Sequence, residues 1–275
     1  MRRRSRAPRP LRQRVLRPFR RLYRQLIVRP RAAYVVSYPK SGRTWLRFLL
    51  AESFAPLVAR PLSLDLTVYR SAERQIPYIL FSHDGTDPAE WRDDLGDKHA
   101  FAGRPVLLLV RDPRDVMVSY YFDLTRRNVQ FEGDLDAFIR SPRYGIDRMI
   151  DFLNSWVEHA GIPSRFSIAR YEDFHADAAA ALRAVLRFFE VPDVSDAVVA
   201  GAVERTSFAR MRALERDSLI DDGRLRPTDP ADPESYKVRR GRIGGYAEYL
   251  TPGQVDFLTA RLRQRLRPPF SAYWT

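Results

Sequence analysis

Short runs of aliphatic residues alternate with helical patterns along most of the chain. Apolar runs without polar alternation predict strands over residues 33–37, 78–82, 106–110 and 165–169. Apolar positions at helical spacing predict helices over about residues 44–54, 115–124, 146–158, 177–189 and 252–266. Apolar strands separated by helices are typical of a parallel sheet that is covered on both faces. The pattern therefore predicts an α/β domain whose ligands bind along the edge formed by the carboxyl ends of the strands.

Two segments lie outside this alternation. Residues 219–238 are polar and Pro-rich, and we expect them to form a long loop or lid. Residues 1–31 carry a different, strongly basic pattern. Because no flexible linker interrupts the remainder, we predict an N-terminal arm over residues 1–31 and a single domain over residues 32–275.

The arm combines an apolar helical stripe with arginines on the opposite side. The stripe consists of Leu11, Val15, Leu16, Phe19, Leu22, Tyr23, Leu26 and Ile27. Two interpretations fit: adsorption to an anionic membrane surface, or docking on the protein's own body with the arginines solvated. No apolar stretch is long enough for a signal peptide or a membrane span, which favours a cytoplasmic protein, soluble or peripheral at the inner face of the membrane.

The net charge of +13 is concentrated in this arm. Residues 1–31 contain 13 arginines and no Asp or Glu, which leaves 34 basic against 34 acidic residues in the rest of the chain. A neutral body gives no reason to expect a specific nucleic-acid partner. Because Arg supplies nearly all of the positive charge, each of the lysines, Lys40, Lys98 and Lys237, merits inspection.

The chain contains 0 Cys, which excludes disulfides, thiolate metal sites and a cysteine nucleophile. The histidines, His83, His99, His159 and His175, are far apart in sequence and form no His-x-x-x-His pair. We therefore expect no metal site.

A predicted strand ends in a short loop that opens a helix, Tyr38-Pro39-Lys40-Ser41-Gly42-Arg43-Thr44-Trp45. Free backbone amides and the dipole at a helix N-terminus favour an anion, and Lys40 adds a point charge beside it. The loop differs from that of nucleotide triphosphatases, in which four residues separate the glycines and the Lys follows them. We predict a phosphate or sulfate site here, with an ordinary strand-to-helix corner as the alternative.

A second anion site is predicted where the third strand ends, in the segment from Val110 to Tyr121. We expect Asp115 to cap the following helix, and Arg111 and Ser119 to converge on one phosphate. A purely structural ion pair between Arg111 and Asp115 is the alternative. Two anion sites at one sheet edge indicate a ligand with two separate anionic groups.

Together these segments resemble the sulfotransferase family that uses 3'-phosphoadenosine 5'-phosphosulfate (PAPS). Residues 38–45 are similar to the family's 5'-phosphosulfate loop, and Arg111 with Ser119 is similar to its 3'-phosphate pair. Three later segments follow in the family's order, namely Tyr171-Glu172-Asp173, Thr206-Ser207-Phe208 and Arg239-Arg240-Gly241. The resemblance covers about residues 33–268 and implies a single P-loop-kinase-like domain with a central parallel sheet and helices on both faces.

The resemblance implies PAPS as co-substrate and assigns its binding to specific positions. These are Lys40, Ser41, Gly42, Arg43, Thr44, Trp45, Arg111, Ser119, Tyr171, Thr206, Phe208, Arg239, Arg240 and Gly241. In this assignment the aromatic residues flank the adenine, and the segment at 239–241 closes over the 3'-phosphate. Ordinary core packing and a solvated basic turn are the respective alternatives.

His83 follows the second predicted strand, so it belongs to the same sheet edge as both anion sites. An acceptor hydroxyl must lose its proton as it attacks sulfur, and a histidine suits that task. The resemblance implies that His83 is the catalytic base and that Lys40 and Ser119 are also catalytic. It implies no metal, because Lys40 can neutralise the leaving oxygen.

Some positions depart from the family pattern. Phe81 occupies a position where cytosolic members usually have a Lys, which argues against a second catalytic cation there. Arg43 replaces a frequent Thr in the phosphosulfate loop, so a hydroxyl is lost and a guanidinium is gained. The family's dimerisation segment is not matched, and the oligomeric state stays open.

The predicted function is transfer of the sulfuryl group from PAPS to a hydroxyl of a small-molecule, glycan or lipid acceptor. A kinase with an ATP-like donor would need a triphosphate loop that this sequence lacks. The other alternative is a non-catalytic membrane- or nucleic-acid-binding protein that acts through its basic arm, and the presence of Lys40, His83, Arg111 and Ser119 argues against it. We expect residues 55–75 and 126–144 to line the acceptor pocket.

Overall fold

The computed structural model describes residues 28, 32–88, 91–192, 194–217, 225 and 227–274. The predicted N-terminal arm, apart from Val28, lies outside the described residues, and so does most of the first half of the predicted lid. The division at residues 31 and 32 therefore stays a prediction.

Four parallel strands form one sheet in the spatial order β2-β1-β3-β4. They are β1 (Ala32–Ser37), β2 (Tyr78–Ser82), β3 (Pro105–Val110) and β4 (Arg165–Arg170). In the register, Val35 pairs with Phe81 on one side and with Leu107 on the other, so β1 lies inside the sheet. The predicted strands are confirmed to within one residue at each end, because uninterrupted apolar runs mark strands that are buried on both faces.

Helices follow or separate the strands. They are α1 (Arg43–Leu57), α2 (Pro113–Phe122), α3 (Leu135–Arg140), α4 (Ile146–Glu158), α5 (Tyr171–Ala176), α6 (Ala178–Phe188), α7 (Asp196–Arg205), α8 (Phe208–Arg216) and α9 (Pro252–Arg265). The predicted helices correspond to α1, α2, α4, α6 and α9. The sequence patterns did not predict α3, α5, α7 and α8, which have 6 to 10 residues each.

The hydrophobic core consists of one cluster on each face of the sheet. Tyr34 and Val36 of β1 belong to the cluster that α4 and α9 cover, whereas Ala33 and Val35 belong to the cluster that α1 and α6 cover. This division follows from the period of two along a strand. Helices on both faces of a central parallel sheet confirm the predicted fold class.

The start of α2 differs from the prediction. Asp112, not Asp115, caps the helix, and its side chain accepts a hydrogen bond of 2.9 Å from the Arg114 amide. Pro113 occupies the first turn, where the missing amide hydrogen costs nothing. Asp115 instead accepts the amides of Gly244 and Tyr246, at 2.9 Å each. The prediction that Asp115 caps α2 was therefore wrong, and this buried carboxylate holds a segment from near the C-terminus.

Candidate active site

A cavity of about 750 Å³ opens at the carboxyl ends of the strands. Every residue in the predicted site set except Ser41 lines this cavity. They are Lys40, Gly42, Arg43, Thr44, Trp45, His83, Arg111, Ser119, Tyr171, Thr206, Phe208, Arg239, Arg240 and Gly241. The side chain of Ser41 is buried within the loop that forms one wall. Segments that are up to about 200 positions apart in sequence are thus brought together because parallel strands end at one edge.

The loop between β1 and α1 turns through two left-handed residues, Lys40 with φ 69° and Gly42 with φ 96°. A side chain at Gly42 would collide with the ring of Tyr171, so both the φ angle and the close approach require glycine. No acidic side chain occupies the first turn of α1. The exposed helix N-terminus therefore keeps its favourable potential for an anion.

The ammonium of Lys40 lies 2.8 Å from Oδ1 of Asp123, which follows the end of α2. Burial alone would raise the pKa of Asp123, but the ion pair and hydrogen bond with Lys40 lower it below its ordinary value. Asp123 is thus ionised at neutral pH and holds Lys40 at the cavity wall. The sequence analysis did not identify Asp123, although it is four positions after Ser119 and so shares a helix face with it.

Arg111 makes the predicted ion pair with Asp115, at 3.4 Å, and also lines the cavity. Its Nη2 donates to the carbonyl of Arg242 at 2.7 Å, and its guanidinium lies 4.3 Å from the ring centre of Tyr171. Nε of Arg111 is buried and has no hydrogen-bond partner in the described part of the chain. The structural and the ligand-binding interpretations of Arg111 are therefore compatible.

An aromatic cluster borders the two anion sites. The ring centres of Trp45 and Tyr171 are 5.7 Å apart, and the ring of His175 lies 5.0 Å from Trp45. Phe208 is 44% exposed and its ring lies against Gly241 at the cavity mouth. An exposed aromatic ring beside a cavity offers a stacking surface for a planar ligand. His175 belongs to this wall, although it was not predicted as a site residue.

The tautomer of His83 follows from its hydrogen bond. Nδ1 lies 2.8 Å from the carbonyl oxygen of Ser37, which can only accept, so Nδ1 carries the hydrogen and Nε2 has the free lone pair. Burial, and after it the charge of Arg43, hold the pKa of His83 well below its ordinary value; Lys237 and Lys40 lower it further, while the Ser37 contact opposes them. His83 is therefore neutral at pH 7 and presents a proton acceptor in the cavity.

The segment at 239–241 also lines the cavity. Arg239 donates to Glu234 at 2.8 Å and to the hydroxyl of Tyr249 at 2.9 Å, and its Nε is a buried atom without a partner among the described residues. Arg240 lies 3.5 Å from Glu234. Both arginines are thus positioned by Glu234 with part of each side chain directed to the cavity.

A further group of lining residues is polar or charged and was not predicted individually. It comprises Asp87, Asp123, Arg127, Asn128, Gln130 and Lys237. Arg127 pairs at 3.0 Å with the fully buried Glu215 of α8. The rarity of lysine in the sequence was a signal for Lys237, but nothing in the sequence indicated its position.

The expected acceptor-lining segments are only partly found at the cavity. Arg127, Asn128 and Gln130 come from the predicted range 126–144. Residues 55–75 contribute no lining residue, so that expectation was wrong. Several of them, including Arg70 and Gln75, line a smaller cavity of about 330 Å³ near the amino ends of the strands. The chain from α1 to β2 must return to that opposite end of the sheet to start a parallel strand.

Two further structural findings concern the part of the chain that the structure describes. No group of three or more potential ligand side chains is placed to hold a metal ion. In the same residues, no helix has the length and apolar character needed to cross a membrane.

Comparison with known proteins gives consistent matches. The family model described as "Sulfotransferase domain" matches residues 104–268, more than half of the chain. Cytosolic sulfotransferase 10 of Arabidopsis thaliana is 24% identical over 268 residues, covering 85% of this chain and 77% of the relative. Sulfotransferase 4A1 of Homo sapiens is 27% identical over 258 residues, covering 87% and 81%.

Two solved structures share the fold. One is mouse sulfotransferase SULT7A1, crystallised with PAP, which is 3',5'-adenosine bisphosphate. It superposes with a TM-score of 0.60 and 21% identity, and the match covers 87% of this chain and 85% of that chain. Retinol dehydratase, in complex with androsterone and PAP, gives a TM-score of 0.56 and 15% identity, covering 92% and 88%. Similarity at this level of identity establishes the common fold.

Proposed function

The chain belongs to the sulfotransferase family, and we propose that it transfers the sulfuryl group of PAPS to a hydroxyl group of an acceptor. Sulfotransfer as such follows from family membership, whereas the donor, the acceptor class and the residue roles are the proposal. The observation that supports it is that one cavity is lined by both segments predicted to bind anions, by an aromatic wall and by a neutral histidine.

The residues fit PAPS chemically. Its 5'-phosphosulfate would lie at the loop before α1, with Lys40, Ser41, Gly42, Arg43 and Thr44, and its 3'-phosphate beside Arg111 and Ser119, with Arg239, Arg240 and Gly241. Two buried atoms of lining residues, Nε1 of Trp45 and Nε of Arg111, have no hydrogen-bond partner among the described residues. Buried polar atoms normally have partners, so these unpaired atoms support a polar ligand in the cavity. When bound, PAPS supplies the activated sulfuryl group.

His83 would act as the base. Its Nε2 accepts the hydroxyl proton of the acceptor, while the Ser37 carbonyl keeps the other nitrogen protonated and the ring oriented. Lys40 places positive charge where the leaving phosphate oxygen becomes negative, and Asp123 fixes that ammonium. Catalysis in this arrangement rests on positioning and charge rather than on a covalent intermediate.

Calorimetric titration with 3',5'-adenosine bisphosphate (PAP), the desulfated product, tests the donor without any acceptor. We expect PAP to bind much more tightly than ATP, and Arg111→Ala to weaken PAP binding at least tenfold because a charge-assisted contact is lost. Arg140→Ala is the matched control, since it removes an exposed arginine from a surface pair. Absence of PAP binding to the wild-type protein would refute the proposed donor.

A further inference from the structure

Lys237 lines the active-site cavity but is outside the segments that resemble the donor-binding motifs. Lys40 pairs with Asp123 and Lys98 pairs with Asp84, at 2.8 and 2.6 Å. Among the described residues, by contrast, no carboxylate lies within ion-pair distance of the Lys237 ammonium. A positive group that lines a cavity and has no ion-pair partner among the described residues is suited to an anionic ligand.

The backbone around Lys237 is rigidly held. The amide of Lys237 donates to Oε1 of Glu215 at 2.6 Å, and the amide of Val238 donates to Oε2 at 2.7 Å. The same carboxylate binds Arg127 at 3.0 Å and is fully buried. Glu215 thus uses its charge on the backbone and on Arg127, which leaves the Lys237 side chain available to the cavity.

Lys237 lies on the side of the cavity where the reaction would occur. It interacts electrostatically with Lys40 of the β1 loop, with Asp123 after α2 and with His83 after β2. The end of β2 itself supplies no second cation, because Phe81 is there and its ring is covered by the guanidinium of Arg47, 4.0 Å from the ring centre. Lys237 therefore adds positive charge from a different segment of the chain.

We propose that Lys237 binds the sulfuryl group of the donor and acts as the second cation of the reacting centre. This inference rests on the proposed PAPS donor. In the reaction, the bond from the acceptor oxygen to sulfur forms, the bond from sulfur to the bridging phosphate oxygen breaks, and the hydroxyl proton moves to Nε2 of His83. Lys40 balances the negative charge that appears on the leaving oxygen, and Lys237 balances the charge on the non-bridging oxygens of the sulfuryl group.

The residues around Lys237 lower the pKa of its ammonium group, and this shift can be tested by experiment. Burial, and after it the charges of Lys40, Arg127 and Arg43, lower its pKa to about 7, and Asp123 only partly opposes them. Among the described residues, the neutral His83 also interacts electrostatically with Lys237, and Glu215 binds the Lys237 amide. An anion at Lys237 would favour the ammonium form, so binding of the sulfuryl group requires uptake of a proton at a pH above 7.

PAPS and PAP differ only by the sulfuryl group. The difference between their affinities therefore measures how much the contacts of that group contribute to binding. We expect Lys237→Gln to lower the affinity for PAPS about tenfold, with little change for PAP, when both are measured by calorimetry without acceptor. Arg140→Gln, which removes the charge of an exposed side chain, should change neither the PAPS nor the PAP affinity. An equal loss of PAPS and PAP affinity, or no loss of either, would overturn the role of Lys237.

The pH dependence supplies a second readout. In the wild-type protein the preference for PAPS over PAP should decrease from pH 6 to pH 9, as the Lys237 ammonium is lost. Lys237→Arg should keep the preference at pH 9, because a guanidinium stays charged. A wild-type protein and a Lys237→Arg variant with identical pH profiles would contradict the proposal. If the wild-type protein binds neither nucleotide, it is the proposed donor that fails instead.

Discussion

At the scale of single residues, the site depends on side chains whose charge state is fixed by their neighbours. The Ser37 carbonyl selects one tautomer of His83, and burial together with nearby cations keeps the ring neutral. Asp123 is kept ionised by Lys40. A base and a cation can therefore operate side by side at neutral pH without exchanging a proton.

Replacement of His83 should separate catalysis from binding. We expect His83→Ala to lower the rate of sulfuryl transfer by about 10²–10⁴, the usual contribution of a general base, and to leave PAP affinity within a factor of about three. The rate would be followed as single-turnover loss of PAPS, and PAP affinity by calorimetry. A His83→Ala variant with wild-type turnover would refute the assignment of the base.

The pH profile offers an independent test of His83. The base is active when neutral, and its pKa is lowered well below 6.5, so protonation reduces the rate only at more acidic pH. We therefore expect kcat/KM not to decrease as the pH falls from 7 to 6, where Lys237 gains a proton, and to decrease only at lower pH. A decrease centred on pH 6.5 would show that the histidine is not perturbed in this way.

Gly42 tests the geometry of the anion loop. Alanine there must adopt φ 96° and displace the Tyr171 ring, so Gly42→Ala should abolish PAP binding and lower the free energy of unfolding. Gly103→Ala is a matched control, because Gly103 also has a positive φ, 68°, but has open space around it. Urea denaturation should show a loss of about 1 kcal/mol for Gly103→Ala and a larger loss for Gly42→Ala. Equal losses would mean that the contact with Tyr171 is unimportant.

At the scale of elements, α2 presents its functional residues at regular intervals. Asp115, Ser119 and, just after the helix, Asp123 recur every four positions and so lie on one face. Asp115 holds the segment at 244–246, Ser119 lines the cavity and Asp123 holds Lys40. One helix thus links the segment at 244–246, the cavity and the β1 loop.

Removal of the Asp115 carboxylate should loosen this link. Asp115→Ala leaves the amides of Gly244 and Tyr246 without their acceptor, and we expect a loss of about 2–4 kcal/mol in the free energy of unfolding. Asp136→Ala, which removes a half-exposed carboxylate from a surface pair, should cost less than about 1 kcal/mol. Urea denaturation of both variants measures the difference. Similar losses would show that Asp115 contributes no more than a surface charge.

The sequence was sufficient to predict the strands and the motifs at their carboxyl ends. Lys40, His83 and Arg111 each follow a recognisable apolar run, and parallel strands bring such positions together. Lys237 follows no such run, because it belongs to an irregular segment that is held by a distant carboxylate, Glu215. Arg127 lies in the π-helical turn that continues α2, and it reaches the cavity beside the same carboxylate. The short helices were missed for a related reason, since their stability comes from packing rather than from a long amphipathic pattern.

At the scale of the whole molecule, one sheet separates two hydrophobic clusters and carries the cavity at one edge. Val28 belongs to the cluster that α4 and α9 cover, and it is 2% exposed. The chain is therefore attached to the domain at that residue. The basic positions before it remain the candidates for contact with a membrane.

Deletion of residues 1–27, which keeps Val28, tests the arm. We expect the full chain to sediment with vesicles that contain anionic lipid and the shortened chain to stay in the supernatant, because 11 of the arginines in the arm are removed. PAP affinity, measured in parallel, should be unchanged and shows that the domain is intact. Unchanged vesicle binding after the deletion would exclude the arm as the anchor.

The contacts of Glu215 limit which segments of this chain can be exchanged independently. One carboxylate receives three donors from two segments that are about 100 positions apart, so these segments do not vary independently. A chimera that replaces the segment carrying Arg127 would leave the buried Glu215 carboxylate without its cationic partner. Side chains around this anchor can therefore be exchanged singly, whereas a larger transplant has to carry Arg127 and Glu215 together.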